Sequence, residues 1–268
     1  MTILVTGARG AIARNVIDLL LAAGTPVRAA SRVPGATDLP AGVEPVRVDF
    51  TAPETLAPAL EGVEKVFLYA AHEGIEDFLT AAKAAGVKHL VLLSSAAVAM
   101  PEVEENLITR MHRGAERPIE ASGLPWTFVR PGMFATNSLW WADSIRKEGV
   151  VRVPFPETPV NPIHERDIAE VAFTALSEGG HEGQAYLVDG PGHLTQRRQV
   201  ELIGEAIGRE IAVEELPRAV AAQFMPEPLL DLLERADAKR YGPSSEAVTG
   251  RPARTYAEWA VDHADDFR

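Results

Sequence analysis

Short β-branched apolar runs alternate with longer Ala/Leu-rich stretches through the first two thirds of the chain, and the hydrophobic period changes with them. The runs at 2–6, 27–30, 44–48, 65–69, 89–94 and 126–130 read as strands. The stretches at 11–24, 53–62, 75–86 and 103–123 carry helical spacing, and several end in a glycine suited to a helix C-terminus. This alternation predicts an α/β fold, a doubly wound parallel sheet with helices on both faces. Pro118 falls inside the last stretch and predicts a kink where its ring meets the carbonyl of Gly114. Beyond residue 131 the rhythm breaks at Pro154, Pro156, Pro159 and Pro162, before a helical stretch at 166–180 and a strand at 184–190. The tail reads as helices around an extended piece at 211–216. The expected organisation is a sheet domain over 1–190, with 133–162 contributing to a substrate pocket, and a smaller, mainly helical C-terminal lobe over 191–268.

Charge and cysteine content narrow the partners. In 268 residues, 38 acidic against 26 basic side chains give a formal charge of −12 with no basic run, so a phosphate-tracking nucleic-acid surface is not expected. The absence of cysteine excludes disulfides, thiolate zinc sites and thiol nucleophiles, and agrees with a reducing cytoplasm. No charged leader precedes the first strand, and no apolar run reaches about 18 residues, so neither export nor membrane spanning is expected. The histidines at 72, 164 and 181 lack the second histidine of a helical zinc site, no metal is expected, and no G-x-S-x-G elbow exists. Asp167 reads as a helix cap. The expectation is a cytoplasmic protein with a small-molecule substrate and no nucleic-acid or membrane partner; a homodimer is an admissible assembly.

The stretch "TGARGAIARN" at 6–15 joins the first strand to the first helix. A dinucleotide fingerprint places glycines for the turn, for backbone approach to the pyrophosphate and for close helix packing. Here Gly7 and Gly10 hold the first two places and Ala13 the third, a job alanine can do. The backbone N–H groups of Gly10, Ala11 and Ile12 then lie at a helix N-terminus, where phosphate is favoured, although a tight turn without a ligand has the same sequence. About 20 residues on, where an acidic residue takes the ribose hydroxyls of NAD, stands Arg32. A guanidinium there forks onto a 2′-phosphate and favours NADPH (NADP), with Arg9 adding a second charge, or else it is an ordinary solvated arginine.

These pieces, with "VDF" at 48–50, "SS" at 94–95, "ASGLPWTFVRPGMF" at 121–134 and "TGRPARTYAEWAVDHADDF" at 249–267, resemble the atypical short-chain dehydrogenase/reductases. More narrowly the chain resembles their NmrA-like branch, which includes NAD(P)H-dependent quinone and azo-dye reductases. The resemblance implies a Rossmann-type, NAD(P)-binding domain. It implies Asp49 and Phe50 beside adenine, Ala70 and Ala71 along the ribose, Ser94 at the cofactor, and Pro131, Gly132, Met133 and Phe134 flanking the nicotinamide.

The wider family's Tyr-x-x-x-Lys pair is absent: the fourth residues after Tyr69, Tyr186, Tyr241 and Tyr256 are Glu73, Gly190, Ser245 and Ala260. The matching helix carries His112 and Glu116, an i, i+4 pair. Two readings stay open: His112 as a proton donor oriented by Glu116, or a half-exposed pair that only stabilises the surface. Leu107, Ile108, Met111, Ala115 and Ile119 read as the buried stripe of that helix. Phe134, Trp140 and Trp141 either roof the nicotinamide or pack the lobe. The function expected is NADPH-dependent reduction of a flat conjugated acceptor such as a quinone; the rivals are a non-catalytic NADP(H)-sensing regulator and non-redox cyclisation or epimerisation on the same scaffold. If Arg32 holds a 2′-phosphate, Arg32→Ala weakens NADPH selectively, by about 1.5–3 kcal/mol. Calorimetric titration checks this, and equal NAD and NADP affinity in the parent protein would refute it.

Overall fold

The computed structural model describes residues 1–35, 39–69, 73–99, 107–235 and 242–268, with the side chains of Pro228 and Leu232 outside the description. In chain order the first part contains β1 (Thr2–Val5), α1 (Ala11–Ala22), β2 (Val27–Ser31), β3 (Glu44–Arg47), α2 (Leu56–Leu60), β4 (Val63–Tyr69), α3 (Ile75–Ala84), β5 (His89–Leu93), α4 (Leu107–Ser122) and β6 (Trp126–Pro131). Next come α5 (Ala142–Glu148), β7 (Val150–Val153), β8 (Pro159–Val160), α6 (Glu165–Ser177) and β9 (Gln184–Val188). The remainder is β10 (Leu194–Thr195), α7 (Gln196–Ile207), β11 (Ala212–Glu215), α8 (Arg218–Ala221), α9 (Glu227–Arg235), α10 (Glu246–Thr249), α11 (Tyr256–Asp262) and α12 (Ala264–Phe267). The main sheet has the order β3-β2-β1-β4-β5-β6-β9, and the pairings from β3 through β6 are parallel.

Both faces of this sheet are apolar. Leu90 and Leu92 of β5 face one side and Val91 the other, and all three are fully buried. Helices must therefore cover both sides. Leu56 and Leu60 of α2, Phe78 and Leu79 of α3, and Ala115 and Ile119 of α4 pack with Leu4, Val66, Leu68, Leu90, Leu92 and Phe128 in one core. Ile12, Val16, Ile17 and Leu20 of α1 are likewise buried. Strand and helix positions follow the hydrophobic pattern to within a few residues.

Two compact units result: Met1–Pro131 with Ile168–Leu187, and Gly132–Asp167 with Val188–Arg268. The chain changes unit three times, and the sequence boundary at 190 lies beside the third change. The first change differs, because the chain leaves the sheet at the end of β6 and Gly132–Asp167 folds wholly with the second unit. Within that unit β7 pairs with β11 and β8 with β10. Its core joins Ile145, Val151, Ile203, Trp259 and Phe267. The 3-10 stretch Ala135–Trp141 and α5 occupy a region that the pattern left without a period. Asp167, expected as a cap, sits in the first turn of α6, buried, and accepts from the backbone N–H and guanidinium of Arg254.

Helix α4 departs from its predicted stripe. Leu107 and Met111 are 54% and 45% exposed, and the buried line runs through Thr109, Ala115, Glu116 and Ile119. The cause is electrostatic. Arg130 of β6 donates to Glu116 through Nε at 2.8 Å and Nη2 at 2.9 Å, a two-point fork onto a carboxylate with no exposed surface. Arg113 adds a bond at 3.0 Å and Ser94 Oγ one at 2.7 Å. The helix continues through Pro118, whose ring costs one hydrogen bond to the Gly114 carbonyl without ending it.

A second buried polar site is His89. Thr127 Oγ1 donates its proton to the His181 carbonyl at 2.6 Å, so at 2.9 Å from His89 Nε2 it accepts. The imidazole is thereby the Nε2–H tautomer, and its buried Nδ1 has no partner. Burial, and next the charge of Lys65, hold its pKa down at about 4.

Two predictions follow from these groups. Glu116→Ala leaves Arg130 buried without its counter-charge and costs about 3–5 kcal/mol of stability; chemical denaturation measures it, and a loss below about 1 kcal/mol would contradict the tie described. For His89 the folded pKa lies below the unfolded value, so its contribution is fully present above about pH 6.5. It is lost as pH falls towards about 4, by up to about 3 kcal/mol. Denaturation of the parent against His89→Gln across that window checks it, and parallel pH profiles would contradict it.

Candidate active site

Gly7 adopts φ +65°, a left-handed conformation, and a Cβ there would stand 3.1 Å from the Tyr69 Cβ. The turn closes with Gly10 N–H donating to the Gly7 carbonyl at 2.8 Å, and is anchored by Thr6 N–H to Phe67 and Tyr69 N–H to Thr6 Oγ1. Gly10 caps α1 without a side-chain hydrogen bond, and the first turn contains no acidic residue. A Cβ at Gly10 would meet only the Gly7 carbonyl, at 3.4 Å. Among the described residues the backbone N–H groups at the N-terminus of this twelve-residue helix thus have no competing cap or first-turn carboxylate, and the donor set fits a pyrophosphate. Ala13, in place of the third glycine, is buried against the fold.

At the ends of β2 and β3 stand Arg32, exposed and without an ion-pair partner among the described residues, and Asp49. The Asp49 carboxylate accepts from Thr51 Oγ1 at 2.8 Å and Thr51 N–H at 3.1 Å, with Arg47 Nη2 at 3.7 Å. Those bonds, and then the charges of Arg47 and Arg32, hold its pKa below the usual carboxylate value. Phe50 packs its ring on Phe78, centroids 5.2 Å apart. Its carbonyl would lie 2.0 Å from a Cβ on Gly74, so that position accepts only glycine. Arg9 shares the glycine turn. Ala70 and Ala71 lie outside the described residues.

Ser94 is buried and spends its hydroxyl on Glu116. Glu116 in turn is held by Arg130 and Arg113, and no hydrogen bond joins it to His112 among the described residues. The i, i+4 spacing therefore does not produce the expected pair: a doubly forked arginine outcompetes a neutral imidazole. His112 is half-buried, its Nδ1 enclosed without a partner. Burial lowers its pKa, with the Glu116 charge opposing, so the ring is neutral at neutral pH.

Pro131 closes β6 in the first unit; Gly132, Met133 and Phe134 open the second. Gly132 donates to Val188 at 3.0 Å, and a Cβ on it would stand 2.1 Å from Asp189 Oδ1. Met133 and Ala135 exchange backbone bonds with Ile163. Met133 and Phe134 then line a cavity of about 770 Å³ with Trp140, Trp141, Phe224 and Met225. Trp140 is 70% exposed, whereas Trp141 also packs on the core of the unit. The segment 133–162 expected at the substrate pocket supplies Asn137 and Arg152, which were not singled out; sequence reasoning missed Phe224 and Met225 of this cavity, and Tyr69, whose half-exposed ring covers Gly7. Only the placement of Tyr69 at the end of a strand carried a signal.

Among the described residues no cluster of metal-binding side chains occurs, and no helix is long and apolar enough to cross a membrane. A family model described as NAD(P)H-binding matches residues 7–179. The (4-alkanoyl-5-oxo-2,5-dihydrofuran-3-yl)methyl phosphate reductase of Streptomyces griseus subsp. griseus is 41% identical over 280 aligned positions, covering 99% of each chain. The NAD(P)H azoreductase of Xenophilus azovorans is 38% identical over 285 positions, again covering 99% of each. The crystal structure of an NADPH-dependent quinone oxidoreductase from Escherichia coli aligns with a TM-score of 0.79 at 26% identity, over 97% of this chain and 98% of that one. With its glycine turn, uncapped α1 and parallel sheet, the chain belongs to the NAD(P)H-binding family and is an atypical, NmrA-like short-chain dehydrogenase/reductase.

Proposed function

We propose that this protein is an NADPH-dependent oxidoreductase that reduces a flat conjugated acceptor such as a quinone, acting in the cytoplasm. The observation that carries the reading is the cavity of the second unit, apolar and aromatic, in a chain without the Tyr-x-x-x-Lys proton donor. The relatives named for quinone, azo and dihydrofuranone reduction support it.

Gly7, Gly10, Ala11 and Ile12 hold the pyrophosphate through backbone N–H groups, Arg32 with Arg9 takes the 2′-phosphate, and Asp49, Phe50, Ala70, Ala71, Ser94 and Pro131 to Phe134 complete the binding of the cofactor. NADPH, when bound, supplies a hydride. The cavity in the second unit excludes water and holds the acceptor flat between aromatic side chains. A simple ketone becomes an alkoxide that needs a proton at once; a quinone spreads the new charge over its ring and second oxygen. A neutral His112 suits only the second case, because it or water delivers the proton after the charge has been delocalised. Glu116 acts as a positioning residue through Arg130 and Ser94.

His112→Ala is therefore expected to lower quinone turnover by about tenfold or less, against the 10²–10⁴-fold loss of a general acid acting in the transition state. An unactivated ketone is expected to be a poor acceptor for either protein. The test is NADPH oxidation with a quinone and with a ketone; efficient ketone reduction that collapses in His112→Ala would refute this assignment.

A further inference from the structure

The cavity of the second unit is unequal in its polar equipment. Arg152 is the one charged side chain lining it among the described residues. Its guanidinium is already bridged, Nε to Glu214 at 2.8 Å and Nη1 to Glu148 at 2.7 Å, so these three side chains together carry a net negative charge. The neutral groups are committed too. Gln196 Nε2 donates to the carbonyls of Pro154 at 2.7 Å and Phe155 at 3.1 Å. Ser144 Oγ donates to the Trp141 carbonyl at 3.1 Å, Ser138 Oγ receives the Tyr256 hydroxyl at 2.6 Å and donates to Gln199 Oε1 at 3.5 Å, and Gln199 Nε2 donates to the Leu194 carbonyl at 3.5 Å. Asn137 is the exception: its amide nitrogen meets only the Met133 thioether, at 3.1 Å, a weak acceptor that a carbonyl oxygen displaces.

Resting on the reductase reading above, we infer that this cavity admits uncharged conjugated acceptors, with a carbonyl on Asn137, and rejects phosphorylated ones. A phosphate monoester carries about −1.5 to −2 charges at pH 7 and needs several donors. It would find a cation shared by two carboxylates and burial among aromatic groups, an uncompensated desolvation. An apolar substituent instead meets Trp140 and Phe224, 70% and 63% exposed at the cavity. The chain thereby parts from its Streptomyces griseus relative, which is named for a phosphate ester.

The test is calorimetric titration of the full chain with two probes, an alkanoyl-dihydrofuranone bearing a hydroxymethyl group and the same compound as its phosphate ester. The alcohol is expected to bind at least tenfold more tightly. In the double variant Glu148→Gln with Glu214→Gln, which frees Arg152, the ester should gain at least fivefold while the alcohol stays within twofold. Equal or tighter binding of the ester by the parent, an ester affinity unmoved in the double variant, or binding of neither probe would overturn the inference. Because binding is read without turnover, an absence of NADPH oxidation with a bound alcohol would count against the reductase reading and leave this inference standing.

Discussion

A parallel sheet with two apolar faces cannot stand in water, and that constraint governs the first unit. Each parallel strand needs a crossover back to the start of the next, mostly a helix and after β2 the connection 32–43, so the C-terminal ends of β1 to β6 open on the same edge of the sheet. The glycine turn, Arg32 after β2, Asp49 after β3 and Tyr69 at the end of β4 are assembled there by covering the sheet, before any ligand is considered. Within that edge the left-handed Gly7 sets how α1 departs. Among the described residues no side chain caps α1 and its first turn holds no carboxylate, so its free N–H groups remain available to an anion.

Electrostatics around α4, β5 and β6 follow a different rule. Burying Glu116 without exposed surface requires near-complete compensation, and Arg130, Arg113 and Ser94 provide it. The arrangement ties α4 to β5 and β6 and, among the described residues, leaves His112 without an orienting carboxylate. A neutral imidazole matches chemistry in which the acceptor delocalises its own charge. The same helix therefore carries a structural ion cluster in place of the acid–base pair of the wider family.

The second unit solves a separate problem. Its core is closed by Trp259 and Phe267, and Glu165 accepts from the Trp259 indole at 3.0 Å and lies 2.8 Å from His263. Against the cost of burial, hydrogen bonding with His164 and then His263 holds the Glu165 carboxyl well below its usual range, and the bond to Glu165 raises the pKa of His263. Saturating its buried polar groups among themselves leaves the cavity apolar, with Asn137 as its lightly held donor.

The sequence by itself determined the elements of the sheet unit, because strands and crossover helices are written in periods of two and 3.6 that depend only on neighbouring residues. It also determined the glycine turn, since Gly7 and Gly10 are local backbone requirements, and the absence of Tyr-x-x-x-Lys. Tertiary structure decided the rest. The i, i+4 spacing of His112 and Glu116 named neighbours on a helix, but Arg130, 14 residues further along, won the carboxylate because β6 lies beneath α4. The partition of Gly132–Asp167 into the second unit, and the meeting of Met133, Arg152 and Phe224 around one cavity, depend on packing between segments far apart in the chain. No local period records such contacts, since a side chain's partner across a core is chosen by shape and desolvation, not by distance along the sequence.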